Sequence, residues 1–166
     1  MPGLNNVYYY IVQEKAKMKT VVVGVGNEIR EDDGIGLVVV AELDQDGFNQ
    51  KADLLVLGDQ LFGLPELAVR YRRMVIVDAL PPVGNPGQVT VIPWGKRSYI
   101  AGERFSLHDL DLIWQIQTAQ AKHACNIWVI GIEAGALGWR LGLSAILQKQ
   151  LREIMAEVKR VITELL

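Results

Sequence analysis

Val21-Val22-Val23-Gly24-Val25-Gly26-Asn27-Glu28-Ile29-Arg30-Glu31-Asp32-Asp33-Gly34-Ile35-Gly36 decides how the chain folds. The valines read as a buried strand. The glycines let the backbone turn sharply. Adjacent carboxylates follow, and a helical pattern then runs from Ile35 through Leu43. Asp32 and Asp33 are therefore expected where a strand ends and a helix begins, with the helix dipole favouring their charged form. In open α/β sheets that rim is where ligands bind. A dinucleotide fingerprint would need a third glycine where Ile29 stands, and a P-loop would need Gly-Lys-Ser/Thr. Two acids would also repel a phosphate, so a cation or metal suits them better. The bland alternative is an Asp N-cap with no chemistry.

Composition narrows the classes. A length of 166 residues fits one domain with a sizeable core. Half the residues are hydrophobic, as in a globular chain, and the net charge of −2 offers no basic footprint for nucleic acid. The single cysteine, Cys125, excludes an internal disulfide and fits a reducing compartment. No apolar run is long enough to span a bilayer, and no secretory signal pattern opens the chain.

Outward from the opening stretch, apolar runs and turn formers alternate. Strands are expected over 20–25, 53–57, 74–77, 88–92 and 127–132, with the third strand ending at Asp78. Helices are expected over 33–44, from Pro65 through Tyr71, from Ser106 to about Gln120, and from Ser144 to the C-terminus. Ser106 with Asp109 resembles a capping box. The last helix places Ile146, Leu147, Leu151, Ile154, Met155, Val158, Val161, Ile162 and Leu165 on one apolar face. This order predicts a three-layer α/β sandwich: a parallel-rich twisted sheet, helices on both faces, and an antiparallel edge strand at 88–92. Residues 19–166 read as a single domain. Residues 1–18 differ in composition. They read either as an extension, with Met18 a candidate start, or as an edge strand over 7–12.

The polar residues at carboxyl ends of strands or N-terminal ends of helices are Asp32, Asp33, Asp78, His108 and Glu133. In a doubly wound sheet they converge on one rim. Two carboxylates and an imidazole suit nickel, zinc or a similar divalent ion. A helix N-terminus keeps His108 neutral and able to bind metal. Each also has a plainer reading: Asp78 as a turn cap, His108 as a surface residue, Glu133 as a rim or turn residue. Cys125 with His123 suggests a thiol nucleophile, but both precede strand 127–132 and belong at its amino end, where Cys125 is expected to pack. Neither a Gly-x-Ser-x-Gly elbow nor His-Glu-x-x-His occurs.

Gly24-Val25-Gly26-Asn27, Asp32-Asp33-Gly34-Ile35-Gly36, Ile76-Val77-Asp78-Ala79, Phe105-Ser106-Leu107-His108 and Val129-Ile130-Gly131-Ile132-Glu133 together resemble the endopeptidases that mature the large subunit of nickel-iron hydrogenases. The likeness covers about residues 19–166. The resemblance implies a cytoplasmic endopeptidase that removes the C-terminal extension of a hydrogenase large-subunit precursor after nickel insertion. It implies Asp33, Asp78 and His108 as the metal-binding and catalytic residues. The nickel is carried by the precursor's cysteines, with no organic cofactor. A monomer acting on that precursor is expected, and the charge and the lack of a long apolar run leave no nucleic-acid or membrane partner. Nickel then serves either as a recognition mark or as a Lewis acid at the scissile carbonyl. Gly58-Asp59-Gln60-Leu61 and Pro65-Glu66-Leu67 look like the branch serving bidirectional, NAD-linked hydrogenases; many other members carry Asp-Gly-Gly-Thr after the second strand. Ala134 stands where proline often follows the Gly-Ile-Glu position. The alternatives from other classes are a non-catalytic nickel-binding assembly factor and a nucleotide-binding α/β protein.

Overall fold

The computed structural model describes residues 19–94, 114, 115, 117, 118, 121 and 125–166. Residues 1–18, and with them the two readings of that segment, lie outside the described residues. So do Ser106, His108, Asp109 and His123.

Five strands form one sheet: β1 (Thr20–Val25), β2 (Asp53–Gly58), β3 (Arg73–Leu80), β4 (Val89–Pro93) and β5 (Asn126–Glu133), in the order β2-β1-β3-β5-β4. β2, β1, β3 and β5 are parallel, and β4 closes one edge antiparallel to β5. The edge strand expected at 88–92 is thus present and antiparallel. Both faces of the central strands are buried. Val22, Val75, Val77, Ile130 and Ile132 point into one core, and Val21, Val23, Met74, Ile76 and Val129 into the other. That is why these strands read as continuous apolar runs rather than alternating ones.

Helices cover both faces. α1 (Ile35–Gln45) and α3 (Ala145–Leu165) bury Val39, Val40, Leu43, Leu147, Ile154, Val158 and Ile162 in the first core. α2 (Leu64–Arg70), with Pro65 in its first turn, buries Leu64, Leu67 and Ala68 in the second. Residues 114, 115, 117, 118 and 121 are helical. Ser144 caps α3, its hydroxyl accepting a hydrogen bond from Leu147 N at 3.4 Å. Ile146, expected on the apolar face, is exposed, whereas Leu147 beside it is fully buried in the first core. Among the described residues no helix is long and apolar enough to cross a membrane.

The topology creates one crevice. From β1 the chain passes through α1 to β2 on one side, and β3 lies on the other side of β1. The carboxyl ends of β1 and β3 are therefore the switch point, where connections leave in opposite directions. β1 and β3 pair only as far as Gly24 with Val77, whereas the β3–β5 ladder continues to Leu80 with Glu133. Asp78 accordingly lies inside β3, opposite Gly131, and not at the strand's end as its sequence suggests. It is the first residue of β3 past the β1 ladder, which places it beside the crevice.

Candidate active site at the sheet rim

The opening stretch folds as β1, a loop, one turn of 3-10 helix (Glu31–Gly34), and then α1. Two glycines allow this. A Cβ on Gly26, whose φ is +126°, would stand 1.9 Å from the Asp33 carbonyl oxygen. A Cβ on Gly36 would meet the Val77 and Val25 carbonyl oxygens at 2.2 and 2.5 Å. Gly36 therefore lets the start of α1 settle onto the ends of β1 and β3. The same contact sets Asp33, three residues before Gly36, and Asp78, one residue after Val77, on the two sides of the switch point.

The adjacent acids have separate jobs. Asp32 is fully buried. Its carboxylate accepts hydrogen bonds from Gly135 N (2.8 Å), Ala136 N (2.9 Å), Ser144 N (2.7 Å) and the Ser144 hydroxyl (2.7 Å). Its own amide donates to the Ala136 carbonyl at 3.3 Å. Asp32 therefore pins the loop before α3 to the loop after β1. The N-cap reading fails for both acids: no side chain caps the 3-10 turn or α1, because Asp32 is engaged 103 to 112 residues downstream. Asp33 is half-buried at the rim, and its Oδ2 accepts from Asn27 N at 3.1 Å. Asn27 Oδ1 in turn accepts from Ile29 N at 3.1 Å, an Asx turn that shapes the loop.

Glu31 adds a second clasp. It sits at φ +50°, a left-handed conformation uncommon for a residue with a side chain. Its carboxylate accepts from Gly138 N at 2.8 Å and pairs with Arg140 at 3.0 Å. Sequence reading missed this role, since Gly138 and Arg140 carry no periodic signal.

On the other side of the crevice, Asp78 is half-buried, and its Oδ1 accepts from the next amide, Ala79 N, at 2.8 Å. Glu133 is buried. Its Oε1 accepts from Val83 N (2.8 Å) and Asn85 N (2.6 Å), and its carbonyl from Gly87 N (2.8 Å). It fixes the Pro- and Gly-rich connection between β3 and β4, in keeping with its reading as a rim or turn residue.

Of the sequence-predicted site residues, the structure brings Asp33 and Asp78 to one crevice, and His108 lies outside the described residues. Among the described residues no three His, Cys, Asp or Glu side chains cluster as metal ligands. Beside the Asp33 segment runs a groove of about 530 Å³, lined by Asn27, Leu37, Val38, Val56 and Asp59 among others.

Cys125 is buried and immediately precedes β5 at the amino edge, opposite the crevice. Burial pushes its thiol up to about 11, so it is protonated at neutral pH and a poor nucleophile. Cys125→Ala is accordingly expected to leave peptidase activity within about twofold of wild type, a margin of well under 1 kcal/mol in barrier; loss of turnover in the folded variant would reinstate a thiol mechanism.

Comparisons with known proteins bear on the fold and the family. The sequence profile of hydrogenase maturation proteases matches residues 37–161. No curated protein matches the chain. Among solved structures, the hydrogenase maturating endopeptidase HybD of E. coli superposes with a TM-score of 0.73 at 21% identity, over 89% of this chain and 93% of that one. The NiFe hydrogenase maturation protease HybD of Thermococcus kodakarensis gives a TM-score of 0.69 at 25% identity, over 87% and 99%. HycI of the same organism, also a NiFe hydrogenase maturation protease, gives 0.64 at 18% identity, over 88% and 93%. With a five-stranded, mostly parallel sheet, one antiparallel edge, and a matched profile over most of its length, the chain belongs to the hydrogenase maturation protease family.

Proposed function

We propose that the protein removes the C-terminal extension of a nickel-iron hydrogenase large-subunit precursor once nickel has been inserted, and that Asp33, Asp78 and His108 recognise that nickel. The observation that carries this reading is the division of labour among the rim acids. Asp32 and Glu133 are buried in structural hydrogen bonds, while Asp33 and Asp78 stand half-exposed on either side of the β1/β3 switch point. Two carboxylates on separately anchored segments are suitable oxygen donors to a divalent ion presented by another molecule.

The topology supports including His108. β4 descends from the carboxyl rim to the amino edge, and β5 starts at that edge. Residues 114, 115, 117, 118 and 121, which are helical, precede β5. In this reading the helix expected from Ser106 holds His108 in its first turn, with the imidazole at the crevice.

In this reading the nickel belongs to the precursor and is held by its cysteines. The protein supplies ligands that leave coordination positions open, as a shared site requires. Engaging the ion fixes one peptide bond of the precursor beside the crevice, so position rather than side-chain sequence selects the bond. The groove along α1 and β2 then holds the chain next to it.

The test is incubation with nickel-loaded precursor, followed by mass measurement of the large subunit. A product shortened at its C-terminus is expected. Binding without shortening would assign the chain a non-catalytic assembly role instead.

A further inference from the structure

The two loops clasped by Asp32 and Glu31 carry an exposed surface that the clasp itself does not use. Glu31 N donates to the Arg140 carbonyl at 2.9 Å, and Gly142 N to the Glu28 carbonyl at 3.3 Å, so residues 28–31 and 140–142 run side by side. Three large apolar side chains on these segments remain open to solvent: Trp139 is 78% exposed, Leu141 72% and Ile29 50%. The Arg30 guanidinium lies over the Trp139 ring, 5.2 Å from its centroid. Arg140 is paired with Glu31. Arg30 has no carboxylate partner among the described residues, and its buried Nε lacks a hydrogen-bond partner.

We propose that Ile29, Arg30, Trp139 and Leu141 form a docking platform for the folded body of the precursor, engaging an apolar patch that carries an acidic side chain. This rests on the functional reading above and adds to it a second contact, beside the metal-recognition residues. Exposed apolar side chains grouped on one rigid surface mark an interaction site. Tryptophan and arginine are the residues that most often dominate such interfaces. The cation–π contact holds the guanidinium in place before any partner arrives, which lowers the ordering cost of binding. Its missing partner fixes the charge of the occupant: a carboxylate satisfies both the guanidinium charge and its planar donor set. The platform also adjoins the site. Asp33 N donates to the Arg30 carbonyl at 3.2 Å, so the loop that presents Arg30 presents Asp33.

The platform is tested with the nickel-loaded large-subunit precursors encoded in the same genome. Wild type, the double variant Trp139→Ala/Leu141→Ala, and Arg30→Glu are compared in steady-state processing and in direct binding by biolayer interferometry. Trp139 and Leu141 lie at the surface, so the melting temperature of the double variant should barely move; Arg30 is half-buried, and the melting temperature of Arg30→Glu is measured to confirm that it is folded. Both variants are expected to raise KM and weaken binding roughly tenfold or more, with kcat within about twofold of wild type. Arg30→Glu should also abolish the salt dependence of binding that wild type shows. Unchanged KM and binding in both variants, with wild type processing normally, would overturn the platform and leave the functional reading standing. If wild type binds a precursor without shortening it, the functional reading fails, and the binding series alone decides the platform. If wild type binds none of them, both fail.

Discussion

Asp32→Ala is expected to lower the free energy of unfolding by about 3–5 kcal/mol, the largest stability effect of any single rim substitution. The carboxylate gathers three backbone amides and one hydroxyl in a fully buried position. Without it, the amides of Gly135, Ala136 and Ser144 lose their acceptor where water cannot readily replace it. An unsatisfied buried donor costs about 1–3 kcal/mol; the Ser144 hydroxyl can rotate to another acceptor and softens the total. For a domain of this size the melting temperature should fall by roughly 10 °C. Thermal unfolding followed by circular dichroism measures this. Limited proteolysis should show cleavage concentrated between residues 135 and 143, the loop that Asp32 holds. A shift below about 2 °C, under 1 kcal/mol at that size, would mean that the loop is held by other contacts.

Asp33→Ala and Asp78→Ala are expected to act in the opposite way. Each should reduce processing of nickel-loaded precursor by at least about a hundredfold, since loss of a direct ligand should exceed the effect of losing an outer-shell partner. Each removes an acceptor, for Asn27 N or Ala79 N, on a half-buried side chain, so the loss of stability should be smaller than for Asp32→Ala. Asp33→Asn keeps an acceptor for Asn27 N and should still be inactive, which separates metal recognition from loop shape. Processing is read by mass spectrometry of the precursor, and folding by melting temperature. Full activity in either folded alanine variant would remove that residue from the site.

These contrasting outcomes for neighbouring acids show where sequence reading stopped. The valine run, the glycines and the acid pair located β1, α1 and the rim, because burial of both sheet faces leaves an unbroken apolar run in the sequence. The pair itself did not reveal which acid is structural. That depends on whether a side chain meets the loop at 135–144, and no local pattern encodes a contact made over 103 residues. Asp78 marked the end of an apolar run but not the end of β3, since strand length is set by pairing with β5, which continues to Glu133. The place of Glu133 after an apolar run suits a rim residue, but no local pattern shows that its carboxylate holds the 83–85 backbone. Trp139 and Leu141 sit in an irregular loop, where neither helical nor strand periodicity distinguishes exposed from buried side chains.

We propose that Asp33, Asp78 and His108 read nickel on the precursor. The most direct measurement is cleavage of nickel-loaded and nickel-free forms of one precursor by metal-analysed wild-type protein. The protein should purify largely metal-free, shorten the nickel-loaded form and leave the nickel-free form intact. Equal cleavage of both forms by a protein carrying stoichiometric zinc or nickel would contradict it and indicate an ordinary metallopeptidase.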